Sequence, residues 1–137
     1  MSTLVIDTIQ GKTTAGSVNV RGEGSNNTNL QQGLAKVWSL WNSSGTPAHR
    51  DSFNCGSITD HGTGDQSIAF TTNMSSADNC VSGTADGNNA ADTSNSQIRP
   101  AQRATSSQRF TVQYASGGTT ALYDYTHVSG IIYGDLA

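Results

Sequence analysis

Residues 108–119, Gln108-Arg109-Phe110-Thr111-Val112-Gln113-Tyr114-Ala115-Ser116-Gly117-Gly118-Thr119, decide the fold class. Phe110, Val112 and Tyr114 alternate with Thr111 and Gln113. Successive side chains of a strand point to opposite faces, so the apolar three share one face and the polar pair the other. Ser116-Gly117-Gly118-Thr119 then supplies a hairpin-type turn. Beyond it, Leu122 to Tyr133 reads as one long final strand with Tyr123, Tyr125, His127, Ile131 and Tyr133 on a common face.

The same rule works outward to earlier segments. Lys36-Val37-Trp38-Ser39-Leu40-Trp41 sets Trp38 and Leu40 on one face and Val37 and Trp41 on the other. Apolar residues on both faces predict a strand covered on both sides, by its own domain or by a neighbour. Ser67 to Thr71 places Ile68 and Phe70 inward, and Phe53 to Ile58 and Ala77 to Thr84 are further strand candidates. Turn clusters at Asn42–Pro47 and Asp60–Asp65 separate them. Residues 83–107 hold no aromatic and one large aliphatic, Ile98, and read as a long loop. At the start, Leu4 to Ile9 and Ser17 to Arg21 read as two short strands, which are not stable alone in water. The pattern predicts an all-β chain: a small antiparallel β-sandwich (jelly-roll-like) over 34–137, preceded by a short extended N-terminal arm over 1–22 and a polar linker over 23–33.

Composition narrows the function classes. Ser, Thr, Asn and Gly fill 61 of 137 positions, while Leu, Ile, Val and Phe fill 23. So little apolar material suggests a core completed across a subunit interface. A net charge of only −3 is not that of a self-repelling disordered tail. Ten acidic against seven basic residues leave no electrostatic footprint for nucleic acid. No apolar run approaches the ~20 residues of a spanning helix, so membrane insertion is not expected. Met1 to Asp7 has neither a basic n-region nor a long h-region, and is not read as a signal peptide.

Candidate chemistry is sparse. His61 lies between Asp60 and Gly62 with Asp65 near, a grouping that could bind metal or move protons but reads better as a hydrogen-bonded turn. His49, before Arg50-Asp51, suggests local ion pairs or an interface contact, and His127 a packed or interfacial residue in the final strand. Cys55 and Cys80 read as two small buried hydrophobes; a single bridge would need an oxidising setting, and a metal pair lacks CxxC or His-rich spacing. There is no G-x-S-x-G elbow, and Gly11-Lys12-Thr13 lacks the upstream glycine of a phosphate loop. No catalytic residue, metal ligand or cofactor is expected.

As a set, other motifs point to a family. Leu34-Ala35-Lys36-Val37-Trp38-Ser39-Leu40-Trp41-Asn42, Arg50-Asp51-Ser52-Phe53-Asn54, Ser57-Ile58-Thr59-Asp60-His61-Gly62-Thr63-Gly64-Asp65 and Ile68-Ala69-Phe70-Thr71-Thr72 with Met74 follow in order. Together they resemble a module recurrent in virion proteins of tailed bacteriophages, especially marine ones, usually labelled tail-fibre proteins. Thr3 to Gly11 looks like the segment that often opens such chains, and Tyr123-Asp124-Tyr125 with Val128 and Gly134-Asp135 fits their ending. The resemblance is weakest over 83–107. Trp41 stands where the family usually has Phe, Cys55 for a Val and His61 for an Asn, and the polar stretch before Arg103 is longer.

The resemblance implies a non-enzymatic homotrimer on the virion surface, a short tail-fibre or spike-like component contributing to host recognition. Leu4, Val5, Ile6 and Ile9 would then dock on other virion proteins of the tail or capsid. Trp38, Trp41, Tyr125 and Tyr133 would form the trimer interface. His61, Thr63, Asp65, Asn88 and Asn89 would lie on loops facing a host surface glycan or protein. Capsid decoration is the structural alternative. A glycan-degrading enzyme is a further one and needs a cleft with two convergent carboxyls.

Overall fold

The computed structural model describes residues 3–12, 18–21, 24–86, 95–116 and 118–137. The chain divides into two compact units, Met1–Leu34 and Ala35–Ala137.

In the first unit, β1 (Asn19–Arg21) pairs antiparallel with β2 (Asn27–Asn29), with Val20 opposite Thr28. Arg21 Nε donates to Asn27 Oδ1 at 3.2 Å across this pair. A single helical turn, α1 (Leu30–Gly33), follows; its cap is Asn29, whose Oδ1 accepts from Gln32 N at 3.1 Å. The partner of β1 therefore comes from the stretch expected to be linker, and Leu4 to Ile9 carries no strand.

The second unit is almost all β, as predicted, in two antiparallel sheets. The four-stranded sheet has the order β4-β3-β11-β7: β3 (Val37–Asn42), β4 (Ala48–Phe53), β7 (Cys80–Asp86) and β11 (His127–Tyr133). Alternation on β3 is as the sequence predicts: Val37, Ser39 and Trp41 are buried, and Trp38 and Leu40 point outward. Val128, Gly130 and Ile132 of β11 join the buried face, opposite Trp41, Ser39 and Val37 respectively.

The five-stranded sheet is organised around β9 (Ser107–Ser116). One side of β9 pairs along its length with β8 (Asn95–Arg103). On the other side its first half pairs with β6 (Asp65–Phe70), itself paired with β5 (Cys55–Gly62), and its second half with β10 (Thr119–Leu122). Thr119 stands opposite Ser116, the register a hairpin there requires. Ile68 and Phe70, with Phe110 and Val112, form this sheet's buried face.

The sheets meet through Trp41 and Phe110, whose ring centroids lie 5.4 Å apart, and through Ile98, which packs over Gly83. A single chain thus closes its own core around Trp41, Phe110, Ile68, Met74 and Ile132, where composition had suggested a core completed across a subunit interface. Two expectations are corrected here. Residues 83–107 are not simply loop, because β7 runs to Asp86 and β8 begins at Asn95. The final strand is not continuous either: β10 belongs to one sheet and β11 to the other, and Tyr123 to Thr126 make the crossing. Val128, Gly130 and Ile132 then face the core together with Tyr125 of the crossing, whereas Tyr123 and Tyr133 stay exposed.

Asn54 makes the corner between β4 and β5. It adopts a left-handed backbone (φ 57°), which asparagine tolerates better than most residues. Its Nδ2 donates to Lys36 O at 3.1 Å and Thr72 O at 3.0 Å, and its Oδ1 accepts from Thr72 N at 2.6 Å.

Candidate functional site

The outer face of the four-stranded sheet keeps an apolar surface in the open. Trp38 (36% exposed), Phe53 (51%) and Tyr133 (37%) stand on it, with Trp38 and Phe53 opposite each other in register. Between the strands runs a trough of about 350 Å³. Its walls are Trp38, Leu40 and Ile131, and small side chains, Ser82, Thr84 and Ser129, leave the space between them. Thr84 Oγ1 and Ser129 Oγ hydrogen-bond each other at 2.9 Å, so these hydroxyls satisfy one another and leave the surroundings apolar. An exposed patch of this kind, formed by large side chains that the same chain could have buried, marks interaction surfaces.

Strand register puts the arrival of the chain at Ala35 and its end near Leu136 at one end of the sandwich. Lys36 N donates to Ile132 O at 2.9 Å, and Met74 bridges Leu136. The connections at 43–47, 63–64 and 123–126 lie at the other end. Ser43 Oγ donates to Tyr125 O at 2.9 Å and accepts from Tyr125 N at 2.8 Å. Gly64 N donates to Asp124 Oδ1 at 2.7 Å.

His61, Thr63 and Asp65 come together at this end on the β5–β6 hairpin. His61 is exposed, its Nε2 2.8 Å from Ser67 Oγ. Asp65 receives both Arg109 Nε (2.7 Å) and Nη2 (2.5 Å), a bidentate pair across β6 and β9. Those hydrogen bonds hold its carboxyl below the usual aspartate range against a smaller opposing effect of burial. Asp60 Oδ1 accepts from Gly62 N at 2.9 Å. The carboxylates here thus tie down turns and an arginine. Among the described residues no group of three His, Cys, Asp or Glu is placed to hold a metal ion. Asn88 and Asn89 lie outside the described residues.

A second grouping sits at the β3–β4–β5 side. His49 Nδ1 lies 2.7 Å from the buried Ser39 Oγ. Burial lowers the His49 pKa below its ordinary value, against a smaller raising contribution from the Gly56 backbone. Arg50 Nε donates to Thr126 O and Asp51 Oδ1 accepts from Ser52 N, so of the local ion pairs or interface contact expected here, no ion pair within the triplet forms among the described residues. Burial pushes the Cys55 thiol up to about 11, and it points at Trp38 O (3.3 Å) and Phe53 O (3.4 Å). A thiol held protonated is a poor nucleophile. Both cysteines are free, and Cys80 is exposed rather than buried as expected.

No family model, no curated protein and no solved structure matches the chain. Among the described residues no helix is long and apolar enough to cross a membrane.

Of the four residues expected at a trimer interface, the structure separates two from two. Trp41 (0% exposed) and Tyr125 (2%) are packed inside the protomer and have no surface to offer a neighbour. Trp38 and Tyr133 share the open sheet face with Leu40 and Ile131, which alternation set beside them, and with Phe53, which it did not. The small residues that shape the trough carry no signal in a hydrophobicity pattern. Leu4, Val5, Ile6 and Ile9 are exposed at 78, 86, 48 and 58%.

Proposed function

We propose that this chain is a non-enzymatic surface protein of a tailed-phage virion, a short trimeric tail-fibre or spike-like element that takes part in host attachment. The motif set over Leu34 to Met74 supports the family. The observation that carries the assembly role is the open apolar face at Trp38, Phe53 and Tyr133 on a sandwich whose core is already closed. Burying such a face stabilises association, since apolar area contributes roughly 25 cal/mol per Å². Leu4, Val5, Ile6 and Ile9 offer a further apolar surface for docking to the particle.

Light scattering of the purified chain tests the assembly, and immunogold labelling of phage tests the location. A trimer that Trp38→Asp converts to monomer, with label on tails, is the expected result. Label on heads instead would make the protein a capsid decoration. A protomer that stays single at all concentrations and labels no particle overturns the reading.

A further inference from the structure

The outer face of the four-stranded sheet is divided across its strands into a bulky half and a bare half. Register sets its side chains in rows. Phe53, Trp38, Ile131 and Ser82 stand opposite one another in turn across β4, β3, β11 and β7. Asp51, Leu40, Ser129 and Thr84 form the next row. In these rows both aromatics and Leu40 fall on β4 and β3, while β11 and β7 carry small hydroxyl side chains and a single large residue, Ile131. The trough of about 350 Å³ is the consequence. A void of about 150 Å³ is enough for a benzene ring, so the trough has room for an aromatic side chain. Phe53, at the opposite edge of the same face, is such a side chain and is 51% exposed. The two cannot meet within one chain, because three strand spacings of about 4.8 Å put Phe53 roughly 14 Å from Ser82.

A knob and a hole on one face are what a rotational assembly of identical chains uses. Rotation about an axis along the strands lays the β4–β3 half of one copy on the β11–β7 half of the next and keeps every row at its own height. Phe53 then faces Ser82, and Asp51 faces Thr84 rather than another carboxylate. Charge agrees with the same placing. Arg50 Nε reaches Thr126 O, and the adjoining His127 stands opposite Asp86, so Arg50 on one half and Asp86 on the other lie at the same end of the strands. Both are exposed. The rotation brings these opposite charges toward each other. An axis across the strands would instead lay bulky half on bulky half and trough on trough, leaving the unfilled space that well-packed interfaces exclude.

We infer that Phe53 of a second copy of this chain fills the trough, so that the β4–β3 half of each open face packs on the β11–β7 half of the next about an axis along the strands. The inference deepens the assembly reading above and rests on it for the presence of a second copy and for closure of the ring at three.

Disulfide trapping of the full chain, with both native cysteines changed to serine and light scattering of the same samples, tests it. Phe53→Cys and Ser82→Cys in one chain should be joined between copies into covalent trimers on oxidation, since a bridge needs Cα atoms within about 7 Å and the two positions are farther apart within a chain. Either substitution alone should give no link, whereas a mixture of the two singly substituted chains should join one of each. In the chain with its cysteines intact, Ser82→Trp fills the trough from an exposed strand position and should raise the dissociation constant of the oligomer about tenfold or more, with the fold unchanged by circular dichroism. Asp86→Arg should weaken association as well, and adding Arg50→Asp should recover part of it. A trimer that forms no link between positions 53 and 82, that links like position to like, or that is untouched by Ser82→Trp overturns the pairing of halves and leaves the trimer standing. A chain that stays single overturns the assembly and this inference with it. A two-copy species joined through positions 53 and 82 upholds the pairing and overturns the number three.

Discussion

Gly130 faces the ring of Phe110 across the sandwich: a Cβ added at Gly130 would stand 3.0 Å from Phe110 Cζ and 3.4 Å from Trp41 Cζ3. The absence of a side chain on β11 is what lets the two largest rings of the core pack against each other. Gly130→Ala should therefore destabilise by about 1–3 kcal/mol through overpacking, read as a lower urea midpoint at unchanged slope. Phe110→Leu in the same chain should recover part of that loss, since it withdraws the atom that collides. A neutral Gly130→Ala would show that the sheets have room to separate there.

Trp41 and Trp38 lie three residues apart on one strand and should respond differently. Trp41 is fully buried, and Trp41→Ala should cost about 3–5 kcal/mol in equilibrium unfolding. Trp38 is 36% exposed on the opposite face, so Trp38→Ala should cost clearly less in the single chain and, on the assembly proposed above, show its main effect on self-association. Equal losses of stability would contradict the assignment of faces.

Asn54→Ala removes both Nδ2 donors and the Oδ1 acceptor that tie the β4–β5 corner to Lys36 O and Thr72, and it leaves a left-handed backbone without the residue that tolerates it. A loss of about 2–4 kcal/mol is expected by thermal or chemical unfolding. Asn54→Gly keeps the backbone freedom and loses only the side-chain bonds, so it should be milder than Asn54→Ala.

His49 sets a pH response. Its folded pKa lies below the ordinary 6.5 because burial disfavours the imidazolium. The unfolded chain then binds the proton more readily, so stability is complete above about pH 6.5 and declines as pH falls toward the folded value. Asp65, lowered mainly by its hydrogen bonds to Arg109, loses its contribution only at still lower pH, below its ordinary 3.8. Unfolding midpoints measured from about pH 8 to about pH 2 should fall below about pH 6.5, and His49→Gln should remove that step while leaving the more acidic one.

Period-two alternation made the core legible wherever large side chains carried it: Val37 and Trp41, Ile68 and Phe70, Phe110 and Val112 are all buried as their spacing requires. It failed where the backbone supplies the structure. β8 is held by pairing to β9 along its length, and Ile98 is its single large aliphatic, so its sequence resembles a loop. It also failed at Tyr123 to Thr126, where the alternating tyrosines continue in number but the chain changes sheets, pinned by Gly64 and Ser43. The candidate surfaces were half legible. Trp38 and Tyr133 stand out by size, whereas the trough between them exists because Ser82, Thr84 and Ser129 are small.

The central place of β11 governs when the molecule can form. It follows β3 and β7 in the chain, yet it separates them in the sheet and supplies the inter-strand partners of both. Until β11 has been made, the Val37-to-Trp41 segment has only β4 beside it in the sheet, and its greasy side chains wait in a nascent chain. Pairings that span so much of the polypeptide make folding slow and expose it to misassociation in the interval. Loss of residues 127–137 would therefore leave a sheet with its middle missing rather than a slightly shorter protein.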